Sequence, residues 1–126
     1  MATKWTIGAD AADPRLLAEF WAAALGYIQE PGYDDPDGAS IVDPDDVGPA
    51  IGFLRVPEPK TAKNRFHLDI RVAGSTRDAS AADRMRTKAA DLVALGAVRV
   101  REEFYDPDVL GHIVMLDPEG NEFCVG

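Results

Sequence analysis

The sequence predicts an α+β fold of two βαβββ modules, with curved mixed sheets paired around a cleft. Three observations predict it. Two amphipathic helices each end in Leu-Gly, at Leu25-Gly26 and Leu95-Gly96. The candidate strands around them run strand, helix, three strands, and then repeat that order. A proline-rich joint, Val56-Pro57-Glu58-Pro59-Lys60, lies where one half hands over to the other, and proline stiffens such a connection.

The elements follow in chain order. Lys4 to Ala9 alternates weakly and predicts a first strand. The clearest helix is Asp13 to Leu25, where Leu16, Leu17, Phe20, Trp21, Ala24 and Leu25 make one apolar stripe. Asp13 is placed to cap the first turn, Pro14 suits the first helical position, and Gly26 stops the helix. Strands are predicted at Tyr27 to Gln29, Ala39 to Val42 and Ala50 to Val56, with Pro31 to Gly38 as a polar loop.

The second half opens on Phe66 to Val72, which puts Phe66, Leu68, Ile70 and Val72 on one face and His67, Asp69 and Arg71 on the other. A helix fits Ser80 to Leu95, with Met85, Ala89, Leu92 and Val93 on one face, Ser80 as cap and Gly96 as stop. Val98 to Glu103, His112 to Leu116 and Glu122 to Val125 complete the strands. Asp117-Pro118-Glu119-Gly120 has the composition of a type I turn and predicts a hairpin between the last two. The organisation expected is one domain over 1–126, built of modules 1–57 and 63–126 with the joint at 57–62.

Composition bounds the function. At 126 residues, 46% hydrophobic and 28% charged, the chain is an ordinary globular domain, neither disordered nor fibrous. Lys and Arg against Asp and Glu give 13 − 22 = −9, a charge that repels a phosphate backbone and an anionic lipid surface alike. One cysteine, Cys124, makes no internal disulfide, the start lacks a basic segment followed by an apolar run, and Glu19 interrupts the richest apolar region. A cytoplasmic protein with neither nucleic-acid nor membrane partner is expected. Phosphate loops, Cys-x-x-Cys pairs and nucleophile elbows are absent from the sequence. The acidic residues Asp34, Asp35, Asp37, Asp43, Asp45 and Asp46 lack calcium-loop spacing and are expected as solvated loops.

The duplicated order, the opening Ala-Asp-Pro…Glu-Phe-Trp…Leu-Gly-Tyr, the run Lys63-Asn64-Arg65-Phe66-His67-Leu68-Asp69 and the closing Asp117-Pro118-Glu119-Gly120-Asn121-Glu122-Phe123 resemble the vicinal oxygen chelate superfamily. Within it they are most similar to the glyoxalase-like, bleomycin-resistance-related branch. The resemblance spans nearly the whole chain and implies the glyoxalase/bleomycin resistance/dioxygenase fold. Metal-using members hold one divalent ion on four side chains, one from the first and one from the last strand of each module, and the ion acts as a Lewis acid on vicinal oxygens. Carried over position by position, the set becomes His67, Thr6, Cys124 and either Phe53 or Leu54. Counted strictly, only His67 keeps the ligand of metal-using members, since Cys124 stands where their glutamate usually sits, a threonine hydroxyl binds transition metals poorly and Phe and Leu not at all. A loose count adds Glu122, Asp69, Cys124 and His112 as a rearranged His, Cys and carboxylate site, which zinc accepts. The expectation is no metal and no cofactor.

The residues expected to meet a ligand are His67, Asp69, Glu122, Thr6, Phe53, His112 and Cys124, with His67 and Glu122 as candidate acid–base groups. Each has a plainer role: His67 a hydrogen-bonding cleft residue, Glu122 a rim carboxylate, Cys124 a small core hydrophobe. Trp21 packs in the helix stripe, Trp5 packs under the helix if Thr6 faces the cleft, and Tyr33 and Tyr105 are candidate walls or lids from loops. The basic run Lys60, Lys63, Asn64 and Arg65 is expected to make surface ion pairs rather than an anion site. Three readings stay open: a small-molecule binding protein holding an apolar or aromatic ligand without a catalytic metal; a lyase or isomerase acting on a carbonyl or vicinal-oxygen substrate through a rearranged metal site including His67; and an accessory domain. The resemblance also implies a homodimer.

Overall fold

The computed structural model describes residues 1–75 and 77–126. The chain forms two compact units, Met1–Pro59 and Lys60–Gly126. Each is a βαβββ module with a four-stranded mixed sheet, so the α+β class and the repeat are both present.

The first unit contains β1 (Ile7–Ala11), α1 (Pro14–Leu25), β2 (Ile28–Gln29), β3 (Gly38–Val42) and β4 (Ile51–Arg55), in sheet order β1-β4-β3-β2. β1 pairs parallel to β4 and the other pairs are antiparallel. The helix starts where the sequence places it, because the Asp13 carboxylate accepts from the Leu16 amide at 3.2 Å and Pro14 needs no amide partner. It ends at Gly26, whose φ of 71° is left-handed and costs glycine nothing. Leu17, Phe20, Trp21 and Ala24 bury themselves against Ala39, Ile41, Ile51 and Phe53 of the sheet, each large side chain contributing about 1.5–3 kcal/mol. Leu16 stays half exposed, so the apolar stripe is narrower than its sequence predicts. β1 begins later than Lys4, because its ladder to β4 opens with the Ile7 amide donating to Ala50 O at 2.9 Å. Trp5 therefore precedes the strand and is 65% exposed rather than packed under the helix.

The second unit contains β5 (Asp69–Ile70), α2 (Ala81–Ala94), β6 (Val98–Asp106), β7 (Val109–Leu116) and β8 (Glu122–Val125), in sheet order β5-β8-β7-β6, the same topology as the first. Ala81, Met85, Ala89 and Leu92 of α2 are buried, as are Ile113, Met115, Phe123 and Val125 of the sheet it packs on. Val93, expected on that face, points outward. Ser80 does not cap α2 with its side chain; its hydroxyl donates to Asp78 Oδ1 at 2.7 Å, which lowers the Asp78 pKa. The Asp117 turn is closed by the Gly120 amide donating to Asp117 O at 2.9 Å. The buried Asp117 carboxylate accepts from the amides of Glu119 and Asn121 and from the Asn121 side chain. β6 and β7 run longer than expected, meeting at Asp106 and Val109, so Tyr105 lies in a strand and not in a loop.

β5 is the main departure. Its expected span, Phe66 to Val72, shrinks to Asp69–Ile70, and Phe66 is almost wholly exposed. An edge strand persists only where it has backbone partners, and these run from Leu68 to Val72: the pairs Asp69 with Cys124 and Ile70 with Val125, flanked by the Cys124 amide donating to Leu68 O and the Val72 amide donating to Gly126 O, so Phe66 and His67 fall outside the ladder. Two residues earlier on β8, the Asn64 side chain takes the place of a strand: its Nδ2 donates to Glu122 O at 2.9 Å and its Oδ1 accepts from the Glu122 amide at 2.7 Å. Among the described residues no helix is long and apolar enough to cross a membrane.

Candidate functional site

Register fixes a polar row on the sheet of the second unit. Asp69 pairs with Cys124, Cys124 with Val114, and Val114 with Arg101, so these four lie in line across β5, β8, β7 and β6. Side chains alternate along each strand, so Glu122 joins Cys124 on this face while Phe123 and Val125 turn to the core. His67, two residues before Asp69, falls on the same side.

The row is knit by hydrogen bonds. His67 Nδ1 lies 2.8 Å from Asp69 Oδ1, both side chains remaining about half exposed. Asp69 also bonds the Cys124 side chain. Burial, reinforced by the carboxylates of Asp69 and Glu122 and weakly opposed by Arg101, raises the Cys124 pKa above that of a free thiol, so at neutral pH it carries its proton. Glu122 is held at its backbone by Asn64 and at its carboxylate by Lys63 Nζ, 3.6 Å away. Arg101 donates to Glu103 on the same face, and this bond lowers the Glu103 pKa.

A ring group sits further along β7. His112 is in register with Glu103, and its Nδ1 lies 3.4 Å from the Tyr105 hydroxyl. The Tyr105 ring lies so close to Gly111 that a Cβ there would come within 2.4 Å of it, which is why the position suits glycine. Arg77 donates to Gly111 O at 2.7 Å and places its guanidinium 5.5 Å from the centre of the Tyr105 ring.

The structure thus brings His67, Asp69, Cys124 and Glu122 together and sets His112 in the neighbouring ring group. Thr6 lies in the first unit, exposed, one residue before β1. Phe53 is 3% exposed in β4, in register with Ala9 and Ala39, and is part of the core of its sheet rather than a ligand wall. Its neighbour Leu54 is the outward residue.

The nitrogen, oxygen and sulfur atoms of His67, Asp69 and Cys124 lie within 4.8 Å of one another. Imidazole, carboxylate and thiolate together match the donor preference of a zinc-class ion and not the all-oxygen shell preferred by magnesium or manganese. The residues at the first module's ligand positions, Thr6 with Phe53 or Leu54, add no usual ligand.

Sequence reasoning missed Asn64 as a clamp, because it acts on a partner 58 positions away. It also missed Arg101. Simple alternation puts Arg99 and Arg101 on one face, but a bulge between them pairs Arg99 with Met115 and Arg101 with Val114, turning Arg101 to the polar side.

A family model for a glyoxalase-like domain matches residues 6–126. Among solved structures, a glyoxalase/bleomycin resistance protein/dioxygenase family enzyme from Burkholderia phytofirmans PsJN is 17% identical with a TM-score of 0.72, covering 95% of this chain and 94% of its own. A variant of the fosfomycin resistance protein FosX from Listeria monocytogenes, complexed with Mn(II) and 1S,2S-dihydroxypropylphosphonic acid, is 11% identical with a TM-score of 0.70, covering 99% and 90%. A possible glyoxalase from Bacillus cereus is 16% identical with a TM-score of 0.66, covering 99% and 98%. At such identities the likeness is one of fold. No curated protein matches the chain.

Proposed function

The chain belongs to the glyoxalase-like domain family of the vicinal oxygen chelate superfamily, and from that premise we propose that it binds a small apolar or aromatic molecule on the polar face of its second module, without the four-ligand catalytic metal of metal-using relatives. The observation that carries this reading is the convergence of His67, Asp69, Cys124 and Glu122 on one sheet face whose reverse is packed under α2. Fixed polar groups beside an apolar strand are what orient a ligand that is otherwise held by burial. His67 and Asp69 supply a donor and an acceptor, Glu122 a second acceptor, and His112 with Tyr105 an aromatic edge. Assembly as a homodimer belongs to the same proposal and is checked by sedimentation equilibrium.

A ligand that binds only the folded chain raises its melting temperature. At a concentration about a hundredfold above Kd the gain is about 2.7 kcal/mol. The test is a thermal-shift screen of aromatic and apolar compounds bearing one hydrogen-bonding group, run on chelator-treated protein. A rise that disappears in His67→Ala supports the reading; rises that ignore that substitution overturn it.

One observation favours a second reading, a metal-dependent lyase or isomerase for carbonyl or vicinal-oxygen substrates: the three donor atoms within 4.8 Å. A bound ion there would supply Lewis-acid polarisation of a substrate oxygen. His67, Asp69 and Cys124 would hold it, leaving Glu122 free to hold or move a proton.

A further inference from the structure

We infer that His67, Asp69 and Cys124 form a zinc-binding site contained wholly in the second module, with Asp69 as a ligand in place of those the first module lacks. Two features of the fold build it. The parallel pairing of Asp69 with Cys124 sets a carboxylate and a sulfur side by side on adjacent strands. The two-residue spacing from His67 to Asp69 keeps the imidazole on the same side, where its Nδ1 already lies 2.8 Å from Asp69 Oδ1. All three donor atoms fall within 4.8 Å of one another. Asn64, by clamping Glu122 at both backbone atoms, holds the start of β8 against the segment that carries His67.

The donor chemistry chooses the ion. A sulfur ligand excludes magnesium and disfavours manganese, while imidazole, thiolate and carboxylate together are a zinc set. Binding converts the Cys124 thiol to a thiolate, the sulfur–zinc bond replacing the S–H bond and one proton passing to solvent. The carboxylate of Asp69 exchanges its hydrogen bonds to His67 and Cys124 for the ion. Three protein ligands would leave a fourth position for water. The metal site does not rest on the reading of this face as a ligand surface, which is tested on metal-free protein.

The experiment uses the full chain, stripped with a chelator and titrated with zinc, manganese and magnesium in equilibrium dialysis with elemental analysis. One equivalent of zinc per chain is expected, with manganese and magnesium far weaker. Cobalt in place of zinc should give the thiolate-to-cobalt charge-transfer absorption. Cys124→Ser should abolish that band, and Cys124→Ser, His67→Ala and Asp69→Asn should each weaken zinc by more than roughly a hundredfold, beyond what losing an outer partner costs. Leu16→Ala, a half-exposed position in the first unit, should leave zinc affinity unchanged. Equal melting temperatures of the stripped variants and the stripped parent show that the fold survives. Failure of the parent to take up zinc, a cobalt spectrum without the sulfur band, or zinc binding that survives Asp69→Asn overturns the site. The thermal-shift screen on stripped protein stands apart from these outcomes, so a failed metal site and a failed ligand surface give different results.

Discussion

Asn64→Ala removes the bracket that holds β8 in register with the segment before β5. The side chain makes two bonds to one residue, Nδ2 to Glu122 O at 2.9 Å and Oδ1 from the Glu122 amide at 2.7 Å, both part-buried. Each such bond is worth about 0.5–1.5 kcal/mol net, and an unsatisfied part-buried partner adds to the loss. Together they predict a destabilisation of about 2–3 kcal/mol. Asn64→Asp still accepts from the amide but has no hydrogen to donate to the carbonyl, so it should fall between the two. Urea unfolding, followed by far-ultraviolet circular dichroism and tryptophan fluorescence together, measures the change as a lower midpoint at unchanged slope. A midpoint for Asn64→Ala within about 0.5 kcal/mol of the parent refutes the idea that this side chain stands in for a strand.

Other perturbations probe separate links. Asp117→Ala removes the buried carboxylate that accepts from three donors, the amides of Glu119 and Asn121 and the Asn121 side chain, and should cost about 2–4 kcal/mol in the same unfolding assay. Leu17→Ala should cost about 2–5 kcal/mol because Leu17 is buried, whereas the half-exposed Leu16→Ala should stay within about 0.5 kcal/mol. The Glu102 pKa is lowered from 4.5, chiefly by its hydrogen bond from Arg86, so its contribution is present above that value and lost as pH falls through the lower folded value. Acid unfolding of Glu102→Gln should accordingly show a shallower loss of stability below pH 4.5 than the parent.

Much of the fold was legible because it is written in local chemistry. Asp13, Pro14 and Gly26 bound α1 by capping and backbone preference, and the Asp117 turn announces itself by composition. The helix faces erred only at their margins, at Leu16 and Val93, where a periodic pattern cannot say how wide a stripe the sheet covers. What stayed hidden depends on distant partners. β5 is short because its ladder with β8 begins only at Asp69, after the Asn64 clamp, and Arg101 faces the site because of a bulge that alternation does not reveal. For the candidate site, alternation alone put His67 and Asp69 on one side and Glu122 with Cys124 on another strand's side. The pairing of Asp69 with Cys124 is a register fact, and it turns scattered donors into a group. Phe53, expected to meet a ligand, lies in the core because its strand turns Leu54 outward instead, a choice of face that position in the sequence leaves open.

The measurement that bears most directly on the whole is a titration of isotope-labelled protein with a compound that raises the melting temperature, followed by residue-resolved nuclear magnetic resonance. Saturable shifts centred on His67, Asp69, Glu122 and Cys124, with the His67 ring signal moving first among the two histidines, are the predicted result. Shifts centred on α2 or on the loop at residues 31–38, with the polar row unmoved, would contradict it.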